Sequence, residues 1–259
     1  MSTPPPYVGG HGLLAGKHVL ITAAAGTGIG FATAKRCAEE GARVAIADIH
    51  ERRLGEARDA LAEVLGSPPP AFIANVTSET DVQNLFTNVV AEFGHIDILV
   101  NNAGLGGTVK LAEMTDEQWS SVLDVTLNGT MRMMRAAIRH MAPRGAGVIV
   151  NNASVVGWRA QEGQSHYAAA KAGVMALTRC AALEAAHDGI RINAVSPSLA
   201  MHPFLAKVTT EELLSELTKG EAFGRAAEPW EIANVIVFLA SDYSSYMTGE
   251  VISVSSQHP

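Results

Sequence analysis

The sequence predicts an α/β fold, a doubly wound parallel sheet of seven strands with helices on both faces. Short β-branched runs alternate with longer helical patterns along the chain, which is typical of βαβ units and a parallel sheet. Hydrophobic residues make up 47% of the 259 residues and charged residues only 17%, which indicates a large buried core. No linker or repeat divides the chain, so we expect a proline- and glycine-rich arm at 1–12 and one domain at 13–259.

Each element follows from a local pattern. Apolar and β-branched runs predict strands at residues 18–22, 43–48, 71–75, 96–101, 147–152, 191–195 and 251–254. Helical patterns between them predict helices at 29–40, 51–65, 79–93, 116–140, 165–187 and 228–240. The three prolines at 68–70 end the second helix before a strand. Thr115, followed three residues later by Gln118, fits a capping box that opens the fourth helix.

The segment 198–227 interrupts this rhythm after the sixth strand. It carries apolar residues at helical spacing, and we interpret it as a substrate-binding lid that closes over a ligand. The alternative is a surface pair of helices that only caps the core.

Charge and composition exclude several classes of function. The formal net charge is −7 and no run of basic residues is longer than two, so a nucleic-acid partner is not expected. Cys37 and Cys180 are too few and too far apart for a disulfide framework or a metal site, and no metal is expected. Neither a secretory signal nor an apolar run long enough to span a bilayer is visible, which favours a cytoplasmic protein without a membrane partner.

A glycine-rich turn follows the first strand and opens directly into a helix. Thr22-Ala23-Ala24-Ala25-Gly26-Thr27-Gly28-Ile29-Gly30 lets backbone approach a pyrophosphate at a helix N-terminus, as in a Rossmann fold. Asp48, at the end of the second strand, lies where a carboxylate binds the ribose 2′-hydroxyl. The pattern therefore favours NAD as cofactor. Arg52 and Arg53 are near enough to leave NADP as the alternative.

Tyr167 and Lys171 are one helical turn apart, and Ser154 precedes them at the end of a strand. A phenol has an unperturbed pKa of about 10, so its use at neutral pH needs a nearby cation that favours phenolate. Lys171 lies on the same helix face as Tyr167, and the Ser154 hydroxyl would hold a substrate oxygen. Taken alone, the pair also fits two surface residues on a helix.

Together these motifs resemble the short-chain dehydrogenase/reductase family over nearly the whole chain. The resemblance also rests on Asn101-Asn102-Ala103-Gly104, Asn128, Ile192-Asn193-Ala194-Val195-Ser196-Pro197, Leu239-Ala240-Ser241-Asp242 and Thr248-Gly249. It implies a nicotinamide cofactor that carries a hydride and a tyrosine that transfers a proton. It also implies subunit packing through the Ala- and Gly-rich helix after Ser165, commonly in homotetramers. The alternative for that helix is close packing on its own sheet.

The resemblance assigns roles to individual residues. Tyr167 would be the general acid/base, Ser154 would polarise the substrate oxygen, Lys171 would lower the tyrosine pKa and bind the nicotinamide ribose, and Asn128 would hold a water for proton transfer. The residues implied in cofactor binding are Thr22, Ala24, Gly26, Thr27, Gly28, Ile29, Gly30, Asp48, Ile49, Asn75, Val76, Asn102, Ala103, Gly104, Tyr167, Lys171, Pro197 and Ser198.

The chain departs from the common family pattern at several cofactor-contacting positions. Ala23 stands where a glycine often follows the threonine, and Asn75 stands where an aspartate often binds the adenine amino group. Ser198 replaces the glycine after Pro197, and His202 falls where a threonine often contacts the carboxamide. The unusual turn and the tail at 254–259 resemble a branch of bacterial reductases of steroid-ring catabolism.

Mostly apolar residues are expected around the substrate. The candidates are Leu105, Val156, Trp158, Leu199, Met201 and Phe204. They favour a bulky hydrophobic secondary alcohol or ketone as the small-molecule substrate. Two alternatives stay open: a 3-oxoacyl thioester reductase of lipid metabolism, and a non-catalytic dinucleotide-binding regulator.

Overall fold

The computed structural model describes residues 3–201 and 211–256. Within these ranges, seven parallel strands form one sheet in the order β3-β2-β1-β4-β5-β6-β7. The strands are His18–Thr22, Arg43–Asp48, Ala71–Ile73, Ile98–Asn101, Gly147–Asn152, Ile190–Pro197 and Val251–Val254, numbered β1 to β7. The described helices are Ile29–Glu39, Glu51–Leu65, Glu79–Phe93, Asp116–Leu123, Gly129–Met141, Ser165–Ala185, Glu211–Lys219 and Pro229–Ala240, numbered α1 to α8. The predicted fold class is confirmed.

The fourth predicted helix differs most from expectation. Residues 116–140 were expected as one helix, but a π-helical turn at Asp124–Asn128 separates α4 from α5. A π-turn contains one residue more than the regular helix allows, and such turns are frequent at functional sites. The capping box of Thr115 and Gln118 opens α4 as predicted.

Three predicted strands have different lengths in the structure. β4 begins at Ile98 rather than at residue 96. β3 ends at Ile73 rather than at residue 75, because Asn75 turns away and its side-chain oxygen accepts hydrogen bonds from Thr77. β6 runs on to Pro197, pairing with β7 over its last four residues. This extension carries Pro197 and Ser198 to the edge of the sheet.

Helices cover both faces of the sheet because neighbouring residues of each strand point to opposite sides. In β1, Val19 and Ile21 pack with residues of α1, α2 and α8, whereas Leu20 packs with residues of α3, α5 and α6. These three side chains are fully buried. The sheet is therefore doubly wound, as the sequence predicts.

The chain order reverses between β1 and β4, which are adjacent in the sheet. β2 follows on one side of β1, whereas β4 and β5 extend on the other. In open parallel sheets, ligands bind beyond the carboxyl ends of the strands at such a reversal. This edge, where Thr22, Asn101 and Asn152 end their strands, is referred to below as the carboxyl edge.

The N-terminal arm is held on the outside of α1 by one buried ion pair. The Arg36 guanidinium donates to the Val8 carbonyl at 2.6 Å and to Glu40 Oε1 at 2.7 Å. Glu40 Oε2 in turn accepts from the backbone N–H groups of His11 and Leu13 at 2.8 and 2.9 Å. We refer to Arg36 and Glu40 as the latch.

Backbone hydrogen bonds join the two ends of the 198–227 insert. The Met201 N–H donates to the Ala227 carbonyl at 2.9 Å, and the Ala227 N–H donates to the Leu199 carbonyl at 2.8 Å. Buried Glu221 accepts from the hydroxyl of Ser256. No helix in the described ranges is both long and apolar enough to cross a bilayer.

Candidate active site

The glycine-rich turn leaves open space in front of α1. Gly26 has φ +91°, and apart from its own chain neighbours no atom of the described residues lies within 4 Å of the position that its Cβ would occupy. A Cβ on Gly30 would lie 2.3 Å from the Ala23 carbonyl oxygen, so only glycine allows the helix to start this close to the turn. Ala23 itself has φ +49°, the left-handed conformation that favours glycine. This geometry explains why glycine would suit position 23.

Asp48 lies beside this turn at the end of β2. One carboxylate oxygen accepts from the Ala25 N–H at 3.2 Å and the other from the His50 N–H at 2.9 Å. Burial raises the pKa of Asp48, against the lowering effect of backbone hydrogen bonds, including that from Ala25, and of the Arg53 charge. Arg52 pairs instead with Glu56 at 2.5 Å. Arg53 is therefore the arginine whose charge lowers the pKa of this carboxylate.

A chain of amides connects the turn to the lysine. The Asn102 side chain donates to the Ala23 carbonyl at 3.0 Å, and the Asn152 side chain donates to Asn102 Oδ1 at 2.8 Å. The Lys171 ammonium then donates to the Asn152 carbonyl at 2.5 Å. Thr22 Oγ1 fixes the same loop by accepting from the Asn102 N–H at 3.0 Å. The predicted cofactor and catalytic groups therefore share one network at the carboxyl edge.

Asn152 was missed by sequence reasoning. Its carbonyl holds Lys171, while its side chain holds Asn102. The available signal was the pair of asparagine doublets at the ends of β4 and β5, since Asn101 pairs with Asn151 across the two strands. Matching polar doublets at the carboxyl ends of adjacent strands indicate a shared network.

Ser154 and Tyr167 meet as predicted. Ser154 is buried at the start of a short 3-10 turn, where its Oγ accepts from the Val156 N–H at 3.3 Å. Burial raises the pKa of Tyr167, and its hydrogen bond with the Ser154 hydroxyl lowers it in part. The phenol is therefore protonated at neutral pH.

Lys171 is buried below the tyrosine ring. Its Nζ lies 5.6 Å from the ring centroid of Tyr167, and burial lowers its pKa from 10.5 to about 8. Burial opposes the charged form of a lysine because the ammonium loses its hydration. Burial is the largest influence on the pKa of Tyr167, so the expected lowering by Lys171 stays a prediction.

Asn128 does not join the other catalytic candidates, which corrects the expectation drawn from the resemblance. Its side chain is exposed and donates to Asp124 Oδ1 at 3.1 Å. Thr126, in the same π-turn, is fully buried and takes the inward position instead. Its hydroxyl accepts from the Leu105 N–H at 2.9 Å and donates to the Leu105 carbonyl at 3.1 Å.

Thr126 therefore holds the loop that crosses the catalytic groups. A Cβ on Gly104 would lie 3.4 Å from the Lys171 ammonium, and one on Gly106 would lie 3.6 Å from the Tyr167 ring. Helical periodicity could have identified Thr126, since it lies four residues after buried Val122, on the same face.

The predicted adenine contacts lie at the end of β3. Val76 is buried against the start of α5, where a Cβ on Gly129 would lie 2.7 Å from it. Asn75 Oδ1 already accepts from the Thr77 N–H and the Thr77 hydroxyl at 3.0 and 2.9 Å. An amide oxygen has two lone pairs, so the Asn75 amide nitrogen is the group left to donate. Ile49, near Asp48, is 54% exposed.

The remaining predicted residues differ in exposure. Ala24 is fully buried, whereas Thr27, Gly104 and Leu105 are exposed. The half-buried ones are Gly28, Ile29, Ala103, Val156, Ser198, Leu199 and Met201. Pro197 is buried, and Trp158 is 46% exposed. Phe204 and His202 lie outside the described residues.

These features fit a dinucleotide cofactor. The open space at Gly26 and the α1 N-terminus, whose N–H groups have no side-chain cap, suit a pyrophosphate. Asp48 retains lone pairs for a ribose hydroxyl, and Lys171 lies on the catalytic side of the same edge.

Comparisons with known proteins agree with this geometry. A family model described as enoyl-(acyl carrier protein) reductase matches residues 23–256. A Mycobacterium tuberculosis protein named (5R,7aS)-5-hydroxy-7a-methyl-1-oxo-2,3,5,6,7,7a-hexahydro-1H-indene-carboxyl-CoA reductase is 61% identical over 261 residues, 100% of this chain and 99% of its own. The 3-oxoacyl-[acyl-carrier-protein] reductase FabG of Thermotoga maritima is 40% identical, covering 93% of this chain and 97% of its own. A short chain dehydrogenase crystal structure from Mycobacterium smegmatis is 58% identical, with a TM-score of 0.88 over 99% of both chains.

Proposed function

Because the chain belongs to the short-chain dehydrogenase/reductase family, we propose that it uses NAD(H) to interconvert a secondary alcohol and a ketone on a hydrophobic ring system carried by a coenzyme A thioester. The observation that carries the proposal is the convergence of Ser154, Tyr167 and Lys171 at the edge where the glycine turn lies.

The chemistry follows from the protonation of the three groups. With its raised pKa, Tyr167 holds a proton at neutral pH and donates it to a ketone oxygen as that oxygen gains charge. The Ser154 hydroxyl, fixed by its bond with the Val156 N–H, orients the same oxygen. In the opposite direction, the phenolate accepts the alcohol proton. When bound, the nicotinamide supplies or accepts the hydride.

Lys171 adds a positive charge to the site when its amine is protonated. Its pKa of about 8 means that its protonation changes near physiological pH. The Asn152 carbonyl holds the ammonium in place under the tyrosine ring. We propose that the ammonium binds the nicotinamide ribose and stabilises the phenolate once the substrate oxygen is engaged.

The preference for NAD rests on Asp48. Its carboxylate would accept from a ribose 2′-hydroxyl and would repel a 2′-phosphate. Arg53 offsets part of that repulsion, so the test compares both cofactors. We expect a higher kcat/KM with NAD(H) than with NADP(H) and a reversal or loss of this preference in Asp48→Ala.

The substrate class is supported by the 61% identical relative. Its name describes a methylated six- and five-membered ring pair with hydroxyl and oxo groups and a carboxyl-CoA thioester. Such a methylated bicycle corresponds to the C and D rings of a steroid, in line with the resemblance to reductases of steroid-ring catabolism. Leu105 and Trp158, both more than 40% exposed, offer apolar surface for a ring of this kind.

A second candidate is a 3-oxoacyl thioester reductase. The Thermotoga maritima relative with that name is 40% identical over most of both chains. The decisive assay follows NADH absorbance with a hydroindene carboxyl-CoA thioester and with 3-oxoacyl-CoA of several lengths. Higher kcat/KM on the linear thioesters would favour this second candidate.

The mechanism is tested by Tyr167→Phe, which removes only the phenolic oxygen. We expect loss of turnover with retained cofactor binding by calorimetry. Tyr243→Phe is the matched control, since Tyr243 is 75% exposed. Full activity of Tyr167→Phe would refute the mechanism. Cofactor binding without turnover of any alcohol or ketone by the unmodified protein would instead indicate a dinucleotide-binding regulator.

A homotetramer is also part of the proposal. Gly173 of α6 packs within its own chain, because its Cβ would lie 2.9 Å from Leu127. A neighbouring stripe of α6 is exposed and includes Leu183, at 75% exposure. Light scattering should give the mass of four chains, and Leu183→Glu should lower it. A monomeric unmodified protein would contradict the assignment.

A further inference from the structure

Two histidines and one aspartate converge at the end of the sheet opposite the carboxyl edge. His18 opens β1, while His95 and Asp97 precede β4. The two strands are paired, Val19 with Ile98, which brings residues that are distant in sequence into contact. One potential ligand atom from each of the three side chains lies within 4.8 Å of the other two. We propose that His18, His95 and Asp97 form a binding site for a divalent transition-metal ion of the zinc class.

The distances suit a tetrahedral ion. Zinc bonds to nitrogen and oxygen are about 2.0–2.2 Å long, so two tetrahedral ligand atoms are about 3.4 Å apart. His95 Nε2 and Asp97 Oδ1 are 3.3 Å apart, and His18 Nδ1 and Asp97 Oδ2 are 3.8 Å apart. Imidazole with carboxylate is a ligand set for zinc, copper or nickel rather than for magnesium.

His18 supplies the observation that points to a ligand. Its Nδ1 is buried and has no hydrogen-bond partner among the described residues, and Asp97 at 3.8 Å is too far to provide one. The ring is held by stacking on Phe93 at 5.1 Å and by an edge contact with His95 at 4.5 Å.

Asp97 is oriented by groups around it. The backbone N–H of His18 donates to Asp97 Oδ2 at 2.9 Å, and the Arg144 guanidinium donates to Asp97 Oδ1 at 2.8 Å. Such outer hydrogen bonds orient metal ligands. Asp97 also lines a cavity of about 600 Å³ at this end of the sheet.

Positive charges near the site weaken its affinity for a cation. Arg144 contacts the carboxylate directly, and Arg43 stacks on Phe93 with its guanidinium 4.7 Å from the ring centroid. His140 is also near, but its Nε2 accepts from the Ile96 N–H and is already used. Arg144 is exposed and also donates to the Ile96 carbonyl at 2.9 Å, so its charge competes with the ion for Asp97 Oδ1. Removal of the Arg144 charge should therefore strengthen metal binding.

The location gives the ion a structural role. The site joins the starts of β1 and β4, whereas Tyr167 and the glycine turn lie at the opposite ends of the strands. A bound ion would hold these central strands together and would stabilise the folded chain. The inference does not depend on the proposed function.

The test uses untagged, full-length protein treated with EDTA and dialysed. Calorimetric titration with ZnCl2 should show one equivalent bound per chain, whereas MgCl2 should show none. His95→Ala and His18→Phe, the latter keeping a ring against Phe93, should each weaken zinc binding by about tenfold or more. His187→Asn, which alters an exposed histidine at the same end of the molecule, should bind as the unmodified protein does.

Two further measurements complete the test. Arg144→Gln should bind zinc more tightly, and zinc should raise the thermal midpoint of the unmodified protein but not that of His95→Ala. The inference is overturned if the unmodified protein binds no zinc, if His95→Ala and His18→Phe bind it unchanged, or if His187→Asn abolishes binding.

Discussion

Replacing Lys171 by methionine should abolish turnover and, at neutral pH, stabilise the fold. Methionine is similar in length and apolar, so it fills the same buried space without a charge. Burial lowers the lysine pKa from 10.5 to about 8. At about 1.4 kcal/mol for each pKa unit, keeping the charged form buried costs about 3 kcal/mol.

Part of this gain is lost with the lysine hydrogen bond. Lys171 donates to the Asn152 carbonyl at 2.5 Å, and leaving that carbonyl without a partner costs about 1 kcal/mol. The net increase in the free energy of unfolding at pH 7 is therefore about 2 kcal/mol.

The pH dependence of the stability difference shows whether the buried lysine charge causes it. Between pH 8 and 10.5 the unfolded chain keeps the lysine proton that the folded protein has already released, so the stability of the unmodified protein rises with pH in this window. By pH 9.5 the advantage of the methionine variant should fall by about 2 kcal/mol and nearly vanish.

Urea unfolding of both proteins without cofactor, at equal chain concentration and at pH 7 and 9.5, measures this difference. Lys219→Met is the control, because Lys219 is exposed and its replacement should have little effect at either pH. Destabilisation of Lys171→Met at pH 7, or a gain that is the same at both pH values, would refute the reasoning.

Three other substitutions test separate parts of the structure. Thr126→Val leaves both Leu105 backbone groups without their partner, so kcat should fall about tenfold, which corresponds to ~1.4 kcal/mol in the activation free energy. Asn128→Ala, at an exposed position, should stay near full activity, and equal losses in the two variants would contradict the inward role given to Thr126. Ala23→Gly relieves a left-handed alanine and should raise the free energy of unfolding by up to about 1 kcal/mol in urea unfolding; a decrease would argue against strain there. Glu40→Gln breaks the buried latch and should cost about 3 kcal/mol, with faster proteolysis of the arm; an unchanged cleavage rate would show that the latch does not hold it.

Local signals in the sequence predicted most of the fold. The capping box at Thr115, the glycine turn and the alternation of strands and helices are short-range patterns, and the structure places α4, α1 and the sheet accordingly. Spacing along one helix was likewise enough to bring Tyr167 and Lys171 to one face.

The features that were not predicted depend on distant contacts. The latch joins α1 to the arm, and the cluster at His18 joins two strands that become neighbours only in the folded sheet. Helical periodicity marks Thr126 as an inward-facing residue, but its hydroxyl bonds with the Leu105 backbone, 21 residues away along the chain, are a distant contact that periodicity does not encode. Asn128 was predicted as the catalytic asparagine, but its side chain is exposed and donates to Asp124.

The π-turn at Asp124–Asn128 also affects how this chain aligns with other proteins. A π-turn amounts to one residue inserted into an α-helix, and a deletion there restores a continuous helix while both flanks keep their inward faces. Loss of one residue from this turn would thus spare the packing of Val122 and Met133 but remove Thr126 from Leu105. A sequence alignment guided by hydrophobic periodicity alone would therefore be misplaced by one residue in this turn. The misplaced position would be Thr126, which bonds to the loop at Leu105 that crosses the catalytic groups.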